Sequence, residues 1–144
     1  MRKQFRRDGL ERLKISVDTN ILVRSAVIDN SDQARAAAQA LRDSEVVAIS
    51  LSCLCEFFWV LSRVYRLEKR DISTALYKLI DAANVVVDRP AVEAGLKIFN
   101  AGGDFADGGI AYEGRWMGGE TFVSFDKKAV ALISKQGQPA VLLS

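Results

Sequence analysis

The chain has 144 residues, 49% of them apolar, so it can bury one sizeable core and fits a single domain. It contains no histidine. That removes the usual neutral-pH general base, the commonest metal ligand and every Ser-His-Asp or Cys-His arrangement, so any hydrolysis must run on carboxylates, lysines or metal-activated water.

The formal charge of +2 hides an asymmetry. Arg2, Lys3, Arg6, Arg7, Arg12 and Lys14 face only Asp8 and Glu11 in the first 14 residues, and the remainder carries 14 basic and 16 acidic side chains. The body of the chain is therefore no general polyanion binder. Residues 1–13 read as a basic extension ahead of one domain over 14–144. A short basic tail could touch phosphates, but a disordered extension or a misplaced start codon is the reading favoured. The extension lacks the apolar segment of a secretory signal, and no apolar run approaches the roughly 18 residues a membrane crossing needs. A cytoplasmic protein without membrane contact is expected.

The first β-branched run, Lys14–Asp18, ends on a carboxylate. A charge on the rim of a buried sheet is costly unless something uses it. Thr19 and Asn20 follow, then a helix over Ile21–Ile28 and a second over Ser31–Ser44 with Ser31 as its cap. After a strand at Val46–Ser50 comes "LSCLCEFFWVLSRVY", a helix over Ser52–Arg66 that is apolar nearly all round and reads as buried. Glu56 inside it should destabilise the fold by several kcal/mol, order of magnitude, unless cations meet its tip. A salt bridge to Arg63, two turns away on the same face, is the structural alternative. Cys53 and Cys55 point apart on a helix and suit neither a disulfide nor zinc; they read as small core residues in a reducing compartment. Phe57, Phe58, Trp59 and Tyr65 could stack on bases, but burial is favoured.

A helix at Asp71–Ala83 leads to a strand at Asn84–Asp88 and a helix at Arg89–Asn100, with Asp88 as cap and Pro90 in the first turn. "NAGGDFADGGIAYEG" places Asp104 ahead of a helix at Asp107–Met117 and Asp107 in its first turn. Both cannot cap it. Gly108 and Gly109 weaken that helix by about 1 kcal/mol each, which predicts a segment ordered by a metal or a partner. A strand at Thr121–Ser124 delivers Asp126 to the start of a helix at Asp126–Lys135, and Ala140–Leu143 is the last strand. No repeat, linker or low-complexity tract interrupts the series.

Strands alternating with helices predict an α/β fold with a parallel sheet covered on both faces, and in such sheets ligands sit at the carboxyl ends of the strands. Asp18, Glu56, Asp107 and Asp126 come from separate segments, with no histidine and no P-loop lysine motif. That donor set suggests a hard cation held by oxygen, Mg²⁺ or Mn²⁺, and metal-assisted phosphodiester hydrolysis. Thr19, Asn20 and Ser124 could hydrogen-bond carboxylate or phosphate oxygens, and Asp104 is a cap or a supporting carboxylate. Arg24, Arg63, Arg66, Lys127 and Lys128 flank these motifs as candidate phosphate contacts, although a charged helix face is usually only solvated.

"SVDTNILVR", "CEFFWVLSR", "DFADGGIA" and "VSFDKKAV", in this order and spacing, resemble the PIN-domain ribonucleases, in particular the VapC-type toxins of toxin–antitoxin pairs. The resemblance covers Lys14 to the C-terminus. It implies a three-layer α/β/α sandwich around a mainly parallel five-stranded sheet of order 3-2-1-4-5. It implies that Asp18, Glu56, Asp107 and Asp126 are the metal-holding catalytic residues of an Mg²⁺- or Mn²⁺-dependent endoribonuclease toxin. An RNA substrate, a cognate antitoxin and a homodimer follow from the same likeness. The late helix departs from the family pattern in reading Asp107-Gly108-Gly109-Ile110 where Asp-Ala-Leu-Ile is usual.

Two other classes compete. A non-catalytic PIN-like module could serve only as half of a DNA-bound toxin–antitoxin repressor, but the intact acidic set disfavours it as the sole role. A phosphotransfer enzyme with a strand-end aspartate nucleophile would want a second aspartate two residues after Asp18, where Asn20 stands, and would leave Glu56 unexplained.

Overall fold

Every predicted strand and helix forms, although the strands are shorter than the β-branched runs that announced them. The structure is a computed structural model describing residues 13–27 and 31–144. Residues 1–12 of the expected 1–13 extension, and Ile28, the expected end of the first helix, lie outside the described residues.

The chain divides into two compact units, Met1–Val87 and Asp88–Ser144. The first holds β1 (Lys14–Ser16), α1 (Thr19–Ala26), α2 (Asp32–Asp43), β2 (Val46–Ala48), α3 (Leu51–Arg63), α4 (Lys69–Ile80) and β3 (Val85–Val86). The second holds α5 (Arg89–Asn100), α6 (Phe105–Trp116), β4 (Phe122–Ser124), α7 (Lys127–Lys135) and β5 (Ala140–Leu142). No helix among the described residues is long and apolar enough to cross a membrane.

All strand pairs are parallel, as βαβ alternation requires. In the first unit β2 lies between β1 and β3, with Lys14 opposite Val46 and Val47 opposite Val85; in the second, β4 pairs with β5, Phe122 opposite Ala140. The expected order 3-2-1-4-5 is therefore kept within each unit. It is corrected in one respect: the strands form a three-stranded and a two-stranded sheet rather than one of five. Strands of two or three residues make only a few ladder bonds each, so pairing holds where a crossover helix docks a strand on its sequence neighbour.

Local chemistry sets the helix starts. Asp18, Ser31, Ser50, Asp88 and Asp126 each accept a backbone N–H from the third residue onward, at 3.0–3.2 Å. Pro90 sits in the first turn of α5, where its missing N–H costs nothing. Buried Leu22, Val47, Leu54, Phe57, Leu61 and Leu76 form the core of the first unit. In the second, Ile98, Ala111 and Ile133 pack together with Phe122, Leu132 and Ala140 around them.

The glycines of α6 have a tertiary reason. A Cβ on Gly108 would lie 2.4 Å from the Ala94 carbonyl oxygen, so α5 and α6 approach too closely there for any side chain. The helix runs unbroken through both glycines. Close packing replaces the propensity that glycine lacks.

Candidate functional site

In the first unit the acidic residues gather where β1 hands over to α1. Asp18 is the N-cap of α1, its Oδ1 taking the Ile21 N–H at 3.1 Å, so its Oδ2 is not used in the cap. Thr19, next in the chain, donates its hydroxyl to Glu56 Oε2 at 2.7 Å, tying the start of α1 to the middle of α3 across 37 residues. The same hydroxyl approaches Cys53 Sγ at 3.8 Å, a contact that the i, i+3 spacing of Cys53 and Glu56 on α3 makes possible. Burial raises the Cys53 thiol above its ordinary value, and the Glu56 and Asp18 carboxylates push it the same way, against the Thr19 hydrogen bond. Both carboxylates are thus felt at one buried sulfur.

Glu56 itself is exposed, which corrects the expectation of a buried carboxylate. Helix α3 is not apolar all round: Ser52, Glu56, Trp59 and Arg63 form an exposed stripe at helical spacing, with Trp59 at 61%. Tyr65 is also exposed, at 41%, while Phe57 and Phe58 are buried and meet edge to face. The partner of Glu56 is the Thr19 hydroxyl and not Arg63. Cys53 is buried as expected, Cys55 half-buried, and neither is in a disulfide.

In the second unit, Asp104 occupies the N-cap position of α6 without a side-chain capping bond, and Asp107 lies in the first turn. Asp126 is the N-cap of α7; its Oδ1 accepts from Ala129 N at 3.0 Å while its own N–H donates to Ser124 Oγ at 2.9 Å. Asp107 is the half-buried member. Burial, then the Asp104 and Asp126 carboxylates, raise its proton affinity above the aspartate value of 3.8. Like charges thus accumulate at this end of the unit.

The expected residues therefore fall into two sets: Asp18, Thr19 and Glu56 in one unit, Asp104, Asp107, Asp126 and Ser124 in the other. Asn20 lies exposed in the first turn of α1. Among the described residues no three Asp, Glu, Cys or His side chains are drawn together closely enough to hold a metal ion by themselves. The donors are nonetheless all oxygen, and Asp18 and Asp126 each keep one carboxylate oxygen clear of capping, which suits a hard divalent cation. Of the expected phosphate contacts, Arg63, Arg66, Lys127 and Lys128 are exposed and Arg24 half-buried.

Comparison with known proteins matches residues 15–132 to the family described as PIN domain. No curated protein matches the chain.

Proposed function

Because the chain belongs to the PIN-domain family, whose domains are typically nucleases, we propose that it is an Mg²⁺- or Mn²⁺-dependent endoribonuclease toxin, hydrolysing RNA phosphodiester bonds and neutralised by a cognate antitoxin. It acts in the cytoplasm, as a homodimer. Asp18, Glu56, Asp107 and Asp126 are its metal ligands. The observation that carries this reading is the Thr19–Glu56 hydrogen bond at 2.7 Å, which links the residue beside Asp18 to a glutamate otherwise 37 positions away.

Each side chain has a separable task. Asp18 and Asp126 hold their helices with Oδ1 and offer Oδ2 to the ion. Thr19 fixes the Glu56 carboxylate in one orientation and lowers the entropy lost on ligation. Asp107 holds a proton more readily than an ordinary aspartate and releases it when positive charge arrives, because its neighbours' repulsion is then relieved. The ion, when bound, acidifies a water and neutralises charge on the phosphodiester. An antitoxin inserting a basic side chain among these carboxylates would inhibit by competing for the same charge.

Incubation of purified protein with single-stranded RNA tests the reading, with Mg²⁺ or Mn²⁺, with EDTA, and with Asp18→Asn. Metal-dependent cleavage lost in the variant is expected. Equal cleavage by Asp18→Asn, in a preparation shown free of contaminating nuclease, would defeat the assignment. Expression without antitoxin should arrest growth; normal growth with soluble, folded protein would favour the non-catalytic repressor module.

A further inference from the structure

Between α5, α6 and the C-terminal end of α7 lies an open cavity of about 350 Å³ that contains none of the proposed metal ligands. Its floor is small and apolar, built from Ala94, Gly108 and Ala111 beside the point where the two helices touch. Its rim carries Lys97, Arg115 and Tyr112, with Glu93 as the one carboxylate. Gly108, Ala111, Tyr112 and Arg115 follow one face of α6, and Asp107, one turn before Ala111, borders it on one side.

Trp116, one turn after Tyr112, borders the same face on the side away from Asp107. Its Nε1–H donates to the Tyr112 hydroxyl at 2.7 Å, yet its ring is 77% exposed. An indole anchored through its N–H with its ring in solvent is a stacking surface already ordered, so a planar ligand meets little further entropic cost. Lys97 and Arg115 make no ion pair among the described residues, so their charge is available to an anion. Flat aromatic surface, cationic rim and apolar floor together match a strand that carries both unpaired bases and phosphates. A duplex would hide the base faces, and an apolar peptide would leave both cations unmatched.

We propose that the α5–α6 cavity and Trp116 form a subsite that stacks one unpaired base of single-stranded RNA, with the adjoining phosphate on Lys97 and Arg115. The proposal rests on the nuclease reading and deepens it by assigning a place to substrate on the helix that carries Asp107. Arg115 lies about 12 Å along α6 from Asp107 at 1.5 Å per residue, so the base held here belongs to a flanking nucleotide.

The test is fluorescence anisotropy of the full chain with a short labelled single-stranded oligoribonucleotide, in EDTA so that binding is read without cleavage. Trp116→Ala should weaken binding about tenfold and Trp116→Phe, which keeps an aromatic ring but loses the N–H anchor, should restore part of it. Lys97→Ala and Arg115→Ala should each lower the slope of log affinity against log salt by about 0.7. A blunt RNA duplex should not distinguish Trp116→Ala from the parent. Unchanged single-strand affinity in Trp116→Ala overturns the subsite, as does a variant that keeps RNA affinity but loses self-association in sedimentation, which would make the surface a contact between copies. Cleavage with metal separates this from the broader reading. Trp116-dependent binding by a protein that cuts nothing upholds the subsite and defeats the nuclease, whereas metal-dependent cutting with Trp116-independent binding does the reverse.

Discussion

Replacing Gly108 with alanine tests the helix contact that carries Asp107. The added Cβ would meet the Ala94 carbonyl oxygen at 2.4 Å, Gly95 Cα at 2.8 Å and the Ala94 carbonyl carbon at 2.9 Å. All three are backbone atoms of α5, so relief requires the helices to part and no side-chain rotation can supply it. Overpacking of this kind costs about 1–3 kcal/mol, against which alanine recovers about 1 kcal/mol of helix propensity. The expected net destabilisation is about 1 kcal/mol, rising to about 2 if the helices yield little. Gly114 on the same helix is the control, because a Cβ there has nothing within 4 Å. Gly114→Ala should gain about 0.5–1 kcal/mol. Both variants share the propensity term, so the difference between them isolates the contact. Urea unfolding of the two should give shifts of opposite sign. If both variants are stabilised, the claim that α5 dictates glycine at 108 is refuted. Because Asp107 is the preceding residue, RNA cleavage by Gly108→Ala should also fall by more than the loss of folded protein accounts for.

Asp18→Asn keeps a side-chain oxygen for the Ile21 N–H, so it should abolish cleavage while leaving the melting temperature nearly unchanged; Asp18→Ala should cost about 0.5–2 kcal/mol as well. A large loss of stability in Asp18→Asn would mean that its charge serves the fold. Asp107 should make metal-free protein pH-sensitive. Its folded proton affinity is raised, so the fold is unpenalised below the unfolded aspartate value of 3.8 and loses stability as pH climbs from there to the raised value, then levels off. Asp107→Asn should track the parent at low pH and exceed it in melting temperature at neutral pH in EDTA, and a pH-independent difference would contradict this. Asn84 Nδ2 donates to the Leu41 and Ser44 carbonyls at 2.8 and 2.9 Å, closing the end of α2 onto β3. Asn84→Ala should therefore lower stability by about 1–2 kcal/mol in urea unfolding, and an unchanged midpoint would dismiss that clasp.

Much of the fold was legible because its signals are local. Ser31, Asp88 with Pro90, and Asp126 announce helix starts through their own hydrogen-bonding chemistry, and α5 runs over the predicted residues, Arg89–Asn100. Strand ends were overextended, since β-branched composition continues past the two or three residues that find a partner. Glu56 departs from expectation for a different reason. The apolar content of its helix carries no phase, whereas Ser52, Glu56, Trp59 and Arg63 mark the exposed stripe at spacings of four, three and four. The value of Gly108 was hidden altogether, because the carbonyl that excludes a side chain there belongs to another helix. The Thr19–Glu56 bond is likewise a tertiary fact, which no spacing within either helix encodes.

The claim on which the account depends is that Asp18, Glu56, Asp107 and Asp126 share one divalent ion. Anomalous diffraction from crystals grown with Mn²⁺ tests it most directly. One manganese peak ligated by carboxylate oxygens of these four residues, and lost in Asp18→Asn, is the result predicted. Manganese bound elsewhere, or held by Asp104, Asp107 and Asp126 without Asp18 and Glu56, would contradict it.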